Sequence, residues 1–286
     1  MTHNYAQSYN EAYIVPYSSG RGPTMYIPSN QRIYDLEQPR YFGAPIHPGH
    51  APGYNYTLHR HHERDAAEAR TSASGFMYAA EHSGTHIDAL CHQAEEFHLY
   101  GGREITPAIQ TSQGFTELGV ETITPIMAHA VLLDLARYRG VDRIAAGNPI
   151  RQDELEDAAQ QQGVQLDAGD VVMVRTGNGA LWHDPGVYLQ AGGVSGSASQ
   201  WLADKKVLAV GADNMAWDEI GLFDPDFKVT LPGHLILLVR SAIYIIENLF
   251  LEELARDQQY ECTFVCLPLK LKGATGSPVR PVAIVS

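Results

Sequence analysis

The feature that most constrains the fold of this chain is a series of short apolar runs that alternate with helical segments. Residues 130–135, 170–175 and 207–211 are each typical of a buried strand. Residues 153–162 are polar, end at a glycine and are typical of a surface helix, and residues 197–203 also have a helical pattern. This alternation indicates an α/β fold whose functional loops lie at the ends of the strands.

Polar residues follow two of these strands directly: Arg175, Thr176, Asp213 and Asn214. Such residues could contribute to a site at the strand ends. Helix capping and turn formation are equally ordinary roles for them. The sequence leaves both interpretations open.

The size and composition of the chain favour one domain. With 286 residues, 44% of them hydrophobic, the chain can bury a substantial core, and no linker-like stretch interrupts it. We predict a single domain over residues 32–286. Residues 1–31 are rich in Tyr, Asn, Ser and Pro with little periodicity, and they predict an irregular N-terminal arm.

Charge and hydropathy limit the partners. The formal net charge of -13 argues against nucleic acid, which binds basic surfaces. The longest apolar stretch, residues 235–246, is interrupted by Arg240 and Ser241 and is too short to span a bilayer. Three cysteines and a start without an apolar leader predict a cytoplasmic protein with reduced thiols. We therefore expect a small-molecule substrate, with no nucleic acid and no membrane.

Three imidazoles and one carboxylate surround a Ser-Gly-Thr turn: His82, His86, Asp88 and His92. They cannot converge from one helix, because residues four apart share a face and the two such pairs would point in nearly opposite directions. A fully extended chain places them on one face but too far apart end to end for one ion. We therefore predict an extended segment that bends at Gly84.

The chemistry of this segment indicates a metal. Imidazole mixed with carboxylate suits zinc, manganese or iron, whereas calcium and magnesium prefer mostly oxygen ligands. The apolar run before it, residues 76–80, predicts a buried strand from which the histidines emerge. His59, His61 and His62, by contrast, lie in a charged stretch and are interpreted as solvated polar residues.

A second candidate region lies far down the chain. Glu247 stands between two apolar pairs, where a carboxylate costs several kcal/mol unless it is paired or bound to a metal. His234 opens an apolar run directly after a Pro-Gly turn. A strand-end ion pair for Glu247 and a helix start for His234 are the alternatives, and the motif at His82 favours metal ligation.

The cysteines do not indicate nucleophilic chemistry. Cys262 and Cys266 alternate with Phe264, which places all three on one face of a strand and predicts burial in the core. Cys91 lies inside the histidine motif, where a small packing residue is the expected role. No neighbouring base activates Cys262 or Cys266.

The string His-x-Gly-Thr-His-x-Asp-x-x-x-His resembles the signature of the metal-dependent cyclase-like hydrolase family, which includes bacterial kynurenine formamidases and isatin hydrolases. The resemblance continues through residues 170–177 and 210–213, His234 with Glu247, and residues 267–280. It covers most of residues 32–286. It implies a cyclase-like (swivelling β/β/α) fold, an α/β domain with mixed β-sheets flanked by helices.

The resemblance also implies the roles of the candidate residues. The metal ligands, for one or two ions of Mn²⁺ or Zn²⁺, are His82, His86, Asp88, His234 and Glu247. Asp88 bridges the two ions where both are present, and His92 matches the proton donor and acceptor of the family. The implied reaction is hydrolysis of a C–N bond other than a peptide bond by metal-activated water. A homo-oligomer, dimer or tetramer, is implied as well.

Departures from the family pattern narrow the substrate. Formamidases of the family have an aromatic residue before Pro-Gly near the N-terminus, whereas this chain has His47-Pro48-Gly49. Leu90 stands where proline is common two residues before the last histidine of the motif. Residues 273–278, Gly-Ala-Thr-Gly-Ser-Pro, resemble the isatin hydrolase branch. The expected substrate is therefore a cyclic amide, imide or lactone.

The sequence leaves three alternatives open. The first is an arylformamidase that acts on N-formylkynurenine. The second is a cupin-like metal oxygenase, in which Glu63 and the histidines before it would hold iron. Cupins are rich in strands, and a chain with the helices predicted here fits that fold poorly. The third is a family member that binds a metal or a ligand without turnover.

Overall fold

A nine-stranded sheet forms the centre of the described domain, in a computed structural model that describes residues 31–64 and 68–286. In chain order the strands are β1 Arg32–Asp35, β2 His86–Asp88, β3 Ile126–Asp134, β4 Val171–Arg175, β5 Ala209–Ala212, β6 Tyr244–Glu247, β7 Glu261–Cys266, β8 Gly276–Pro278 and β9 Val282–Val285. Their order in the sheet is β1-β9-β7-β3-β4-β5-β6-β2-β8. The mixed α/β fold class is confirmed. The predicted arm, apart from Gln31, lies outside the described residues.

The four middle strands, β3 to β6, run parallel, and the strands next to them, β7 and β2, run antiparallel to them. β4 pairs in parallel with β3 and with β5, and β5 pairs in parallel with β6. The carboxyl ends of β3 to β6 therefore lie at one edge of the sheet, which is where α/β proteins bind ligands. β2 runs antiparallel to β6 and pairs His86 with Glu247, so the start of β2 lies at that same edge.

In the described part of the chain, six short α-helices accompany the sheet: α1 Leu135–Arg139, α2 Gln152–Gln162, α3 Pro185–Tyr188, α4 Gly196–Lys205, α5 Pro232–His234 and α6 Glu252–Arg256. Three 3-10 turns lie at Pro48–His50, Val120–Thr122 and Asn178–Leu181, and a π-helical turn over Leu235–Arg240 continues α5. The helices predicted at 153–162 and 197–203 are confirmed as α2 and α4. Gly163 ends α2 in the left-handed conformation, as the glycine predicted.

Apolar side chains pack on both faces of the sheet. In β4, Val171 and Met173 belong to one buried cluster, whereas Val172 and Val174 belong to the other. Successive side chains of a strand point to opposite faces, so a continuous apolar run is needed when both faces are covered. This requirement explains why the central strands were visible in the sequence.

The predicted burial of the C-terminal cysteines is confirmed. Cys262, Phe264 and Cys266 lie in the same core cluster, and all three are buried. Burial raises the pKa of both thiols to about 12, so neither is a thiolate near neutral pH.

The burial predicted for residues 76–80 is wrong. A strand does form at Ser74–Tyr78, but it pairs with Asn55–Arg60 in a separate two-stranded ribbon. Phe76, Met77 and Tyr78 are each 67% exposed. The apolar run shows a preference for extended backbone, but it does not determine which sheet the strand joins or whether anything covers its faces.

Among the residues that the structure describes, three further two-stranded pairs lie outside the main sheet: His98–Leu99 with Arg103–Glu104, Gln110–Thr111 with Gly114–Phe115, and Phe223–Asp224 with Val229–Thr230. Within the described ranges, every helix is too short or too polar to cross a membrane.

Candidate metal centre

The candidate site lies where β2 meets the carboxyl end of β6. His86 and Asp88 are alternate residues of β2, so their side chains share one face of the strand. Glu247 is the last residue of β6, directly opposite His86. Antiparallel pairing thus brings together a histidine and a glutamate that are far apart in the sequence.

A tight turn delivers His82 to the same place. Gly84 has φ +64°, a conformation that favours glycine. The Arg40 guanidinium donates to the carbonyl oxygens of Ser83 and Thr85 on either side of this glycine. The Asn248 amide donates to the Gly84 carbonyl at 2.9 Å, and the Thr85 hydroxyl donates to the Asn248 carbonyl at 2.7 Å. The predicted bent, extended segment with its hinge at Gly84 is observed.

Asp88 lies at the centre of a dense group of ligand-type side chains. One ligand atom from each of His82, His86 and Asp88 lies within 4.8 Å of the others, and the same holds for Asp88, His92 and His234. Asp88 Oδ1 is 2.9 Å from His82 Nδ1 and 3.5 Å from His86 Nε2. Asp88 Oδ2 is 3.7 Å from His234 Nε2.

Glu247 completes the group on the other side. Its Oε2 lies 3.3 Å from His86 Nε2, and its Oε1 lies 3.3 Å from His234 Nε2. The Trp217 backbone N–H donates to Oε1 at 2.8 Å and so holds the carboxylate in place. The structure therefore brings together all six residues selected from the sequence: His82, His86, Asp88, His92, His234 and Glu247.

The buried atoms at the centre fit a divalent cation. Neither carboxylate oxygen of Asp88 accepts a hydrogen bond from the described residues, and His82 Nδ1 is also buried without a hydrogen bond. Burial raises the pKa of Asp88, because the ionised form has lost water without gaining hydrogen-bond donors. A divalent cation would supply the missing partner, and imidazole with carboxylate is the ligand chemistry of zinc and manganese.

Three histidines of the group are each oriented by a hydrogen bond from one ring nitrogen to the protein, so that the second ring nitrogen faces the centre of the site. His86 Nδ1 donates to the Gly84 carbonyl at 2.8 Å, which leaves Nε2 facing the carboxylates of Asp88 and Glu247. His234 Nδ1 donates to Asp218 at 2.7 Å, which leaves Nε2 facing the same two carboxylates. Metal-bound histidines have this arrangement, in which one nitrogen binds a protein acceptor and the other is free for the ion.

His82 is oriented through a hydroxyl. The Thr275 hydroxyl donates to the Glu81 carboxylate, so it accepts from His82 Nε2, which lies at 2.8 Å. His82 Nδ1 is then unprotonated and faces Asp88. A Cβ at Gly276 would lie 2.7 Å from His82 Cε1, so this position requires glycine. These contacts give a physical role to the Gly-Ala-Thr-Gly loop, which the sequence singled out by resemblance alone.

Asp218 is a part of the site that the sequence did not indicate. It accepts from the backbone N–H groups of Gly233 at 2.6 Å and His234 at 3.1 Å, in addition to the His234 ring. Burial lowers the pKa of His234, but the hydrogen bond with Asp218 and the nearby Glu247 carboxylate outweigh this effect and raise the pKa. Asp218 follows β5 in a loop and lies 16 residues before His234, so no short motif contains both.

His50 is a second residue that the sequence did not indicate. It ends the turn Pro48–His50, and its ring centroid lies 4.7 Å from that of His82. One nitrogen from each of His50, His82 and His92 lies within 4.8 Å of the others.

The polar residues at the ends of β4 and β5 have structural roles. Arg175 forms ion pairs with Asp134 and Glu252, and the Thr176 backbone N–H and hydroxyl both donate to Asp213 at 2.8 Å. Of the two interpretations that the sequence left open, the turn-forming role is the one observed.

The histidines at 59, 61 and 62 are exposed, as expected for solvated residues. Over residues 31–64 and 68–286, no group of potential metal ligands includes them. The ligand set of the oxygenase alternative is therefore not assembled in the described part of the chain.

We expect Asp218→Asn to weaken metal binding without removing a ligand. The amide accepts less strongly from His234 Nδ1, so the ring is less well fixed and Nε2 is a poorer ligand. Loss of such an outer partner costs roughly 10- to 100-fold in metal affinity. Titration of the metal-free protein with Zn²⁺ against a competing chelator measures the change. The control is Asp204→Asn on the exposed end of α4, which should leave the affinity unchanged.

The fold and this group of side chains define an α/β protein with a candidate divalent-metal centre at the carboxyl edge of its parallel strands. Residues 34–219 match the family model described as "Putative cyclase". The match spans more than half of the chain, so the chain belongs to this family. The resemblance noted from the sequence is confirmed.

Relatives of known sequence support this assignment. Cyclase-like protein 3 of Oryza sativa subsp. japonica is 36% identical over 87 residues, which is 30% of this chain and 28% of the rice protein. The isatin hydrolase of Roseibium aggregatum is 24% identical over 222 residues, 74% of this chain and 75% of that enzyme.

Solved structures show the same fold. A crystal structure described as a novel cyclase covers 89% of this chain and 87% of its own, with 28% identity and a TM-score of 0.78. Isatin hydrolase A from Ralstonia solanacearum covers 90% of this chain and 93% of its own, with 22% identity and a TM-score of 0.67.

Proposed function

We propose that this chain is a metal-dependent hydrolase that opens a small cyclic amide, imide or lactone. The observation that carries the proposal is Asp88, a buried carboxylate without hydrogen bonds. Three imidazoles surround it, each with one nitrogen bound to a protein acceptor and the other facing inward. Such a centre has no evident structural purpose without a cation, because a buried unpaired carboxylate destabilises the fold.

The relatives supply the reaction class. The isatin hydrolase of Roseibium aggregatum aligns with 74% of this chain. Another similar structure is described as a potential metal-dependent hydrolase with cyclase activity, at 20% identity and a TM-score of 0.58. These likenesses favour hydrolysis over oxygenation, and the isatin hydrolase favours a ring as the substrate.

The proposed ligands are His82, His86 and Asp88 for one ion, with His234 and Glu247 beside Asp88 for a second. A divalent ion in such a site lowers the pKa of water and polarises a carbonyl. His92 lies against His82, with ring centroids 4.1 Å apart, and is partly exposed. Burial lowers the pKa of His92 to about 3, so the ring is neutral at pH 7 and has a nitrogen able to accept a proton.

The proposed role of His92 is to move one proton. Water adds to the substrate carbonyl carbon as a C–O bond forms, and His92 takes the proton from that water. The C–N or C–O bond of the ring then breaks, and His92 returns the proton to the departing nitrogen or oxygen. The product is the open-chain acid, and the enzyme is restored without any co-reactant other than water.

An assay of the metal-loaded protein tests the proposal. The protein is stripped with a chelator, reloaded with Mn²⁺ or Zn²⁺, and tested with isatin, a small lactam, a cyclic imide, a lactone and N-formylkynurenine. We expect the protein to open the ring of at least one cyclic substrate. This activity should depend on the ion, proceed equally well without dioxygen and be lost again when chelator is added. Faster turnover of N-formylkynurenine would favour an arylformamidase. Turnover of none of the five compounds would refute the proposal.

A further inference from the structure

The turn that carries His50 is well defined by its own contacts. His47 Nδ1 accepts from the Gly49 backbone N–H at 3.1 Å, and the His50 N–H donates to the His47 carbonyl at 2.9 Å. Pro48 stands at the first position of the turn, where its fixed φ suits the conformation. His47 therefore caps the turn, and His50 is the residue of this turn whose ring reaches the candidate site.

His50 stands at the outer side of the histidine group. Its ring stacks on His82 with an interplanar angle of 28°, and its centroid is 5.9 Å from that of His92. His50 forms a potential ligand group with His82 and His92, and His92 also forms one with Asp88 and His234. His50 thus extends the site by one imidazole beyond His92.

The geometry does not favour His50 as a metal ligand. His82 has two ring nitrogens, of which Nε2 bonds to Thr275 and Nδ1 faces Asp88. An ion held by His50 and His82 would therefore have to share the His82 Nδ1 that already faces Asp88. Among the described residues, no hydrogen bond joins the ring nitrogens of His50 to the protein, and the side chain is only partly buried. It is therefore available to a small molecule.

We infer that His50 is a specificity-determining residue that binds an acceptor oxygen of the substrate next to the carbonyl that is hydrolysed. The inference rests on the proposed hydrolase function. One nitrogen of His50 lies within 4.8 Å of one nitrogen of His92. Two oxygens on neighbouring carbons of one molecule can reach both through hydrogen bonds of about 2.9 Å. The favoured substrates therefore have a second carbonyl beside the reacting one.

Binding of two matched acids tests this inference without turnover. Phenylglyoxylate and phenylacetate share a ring and a carboxylate, and they differ by one carbonyl oxygen next to the carboxylate. We expect the Mn²⁺-loaded protein to bind phenylglyoxylate roughly three- to tenfold more tightly in calorimetry, the range expected for one hydrogen bond. His50→Phe, which keeps a ring against His82 but has no donor, should reduce this ratio to about one.

Two further variants complete the experiment. His50→Gln restores an N–H donor and should recover most of the preference, and His59→Phe on the exposed ribbon should leave it unchanged. A ratio that persists in His50→Phe would show that the preference comes from the ion, which would overturn the inference. So would a wild-type ratio of one, or a loss of bound Mn²⁺ in His50→Phe, which would make His50 a ligand.

The binding experiment and the activity assay fail in ways that can be told apart. If the wild type hydrolyses none of the five assay compounds but still shows the binding preference and its loss in His50→Phe, the hydrolase proposal fails and the role of His50 in recognition stands. If the protein hydrolyses rings without any binding preference, the reverse conclusion holds.

Discussion

Asp88→Asn is expected to deprive the protein of its metal and of its activity together. The two Asp88 oxygens lie within reach of His82, His86 and His234, so this carboxylate is common to every proposed ion position. Loss of a shared ligand should reduce metal affinity by well over the roughly 100-fold expected for an outer partner. When the metal concentration is limiting, the rate of hydrolysis should fall in proportion to the fraction of protein that holds an ion. Metal analysis of the purified variant and a Zn²⁺ titration measure both effects.

Asp88→Asn is also expected to change the stability of the fold, and the direction of the change depends on whether metal is present. An ion that binds only the folded state at 100 times its Kd stabilises by about 2.7 kcal/mol. Mn²⁺ should therefore raise the unfolding temperature of the wild type but not of Asp88→Asn. In chelator, the variant should be at least as stable as the wild type, because it lacks a buried carboxylate without hydrogen bonds.

A matched control separates this effect from a general response to buried amides. Asp170 is also buried, but it accepts from the Asp167 N–H at 2.8 Å and from His129, away from the site. Asp170→Asn should keep the Mn²⁺ content and the Mn²⁺-induced rise in unfolding temperature. An Asp88→Asn protein that retains both would show that the carboxylate holds no ion.

The central strands could be predicted because burial on both faces requires a continuous apolar sequence. Val171 to Val174 show this pattern, and the glycine at 163 marks the end of the preceding helix. The outer elements lack this constraint. The apolar run before His82 favours an extended backbone, but the ribbon it forms with Asn55–Arg60 has most of its side chains exposed, and local sequence does not report which face is covered.

The candidate site was predictable to the extent that its residues share a short segment. His82, His86 and Asp88 constrain one another through their spacing, and a buried glutamate in an apolar strand calls for a partner. Asp218 and His50 have no such constraint. Asp218 lies in the loop after β5 and His50 lies in an isolated turn, so only the folded chain places them beside His234 and His82.

His92→Gln is expected to lower kcat by roughly 100- to 10,000-fold, the usual contribution of a positioned acid–base group, while the metal content stays unchanged. His92 differs from His82, His86 and His234, because in the described structure no protein acceptor holds one of its ring nitrogens. A ring without an outer partner is poorly oriented as a ligand but free to take up and release a proton. Metal analysis and steady-state kinetics on the same preparation separate the two roles.

Chemical rescue sharpens the test of His92. The side chain is partly exposed, so the space left by His92→Ala should admit imidazole from solution, which should restore part of kcat. His98→Gln is the control, because His98 is exposed in the two-stranded pair and its Nδ1 donates to the Glu96 carbonyl; this variant should retain full activity. If His92→Gln loses metal in step with activity and imidazole gives no rescue, His92 completes the ligand group with Asp88 and His234, and another group must move the proton.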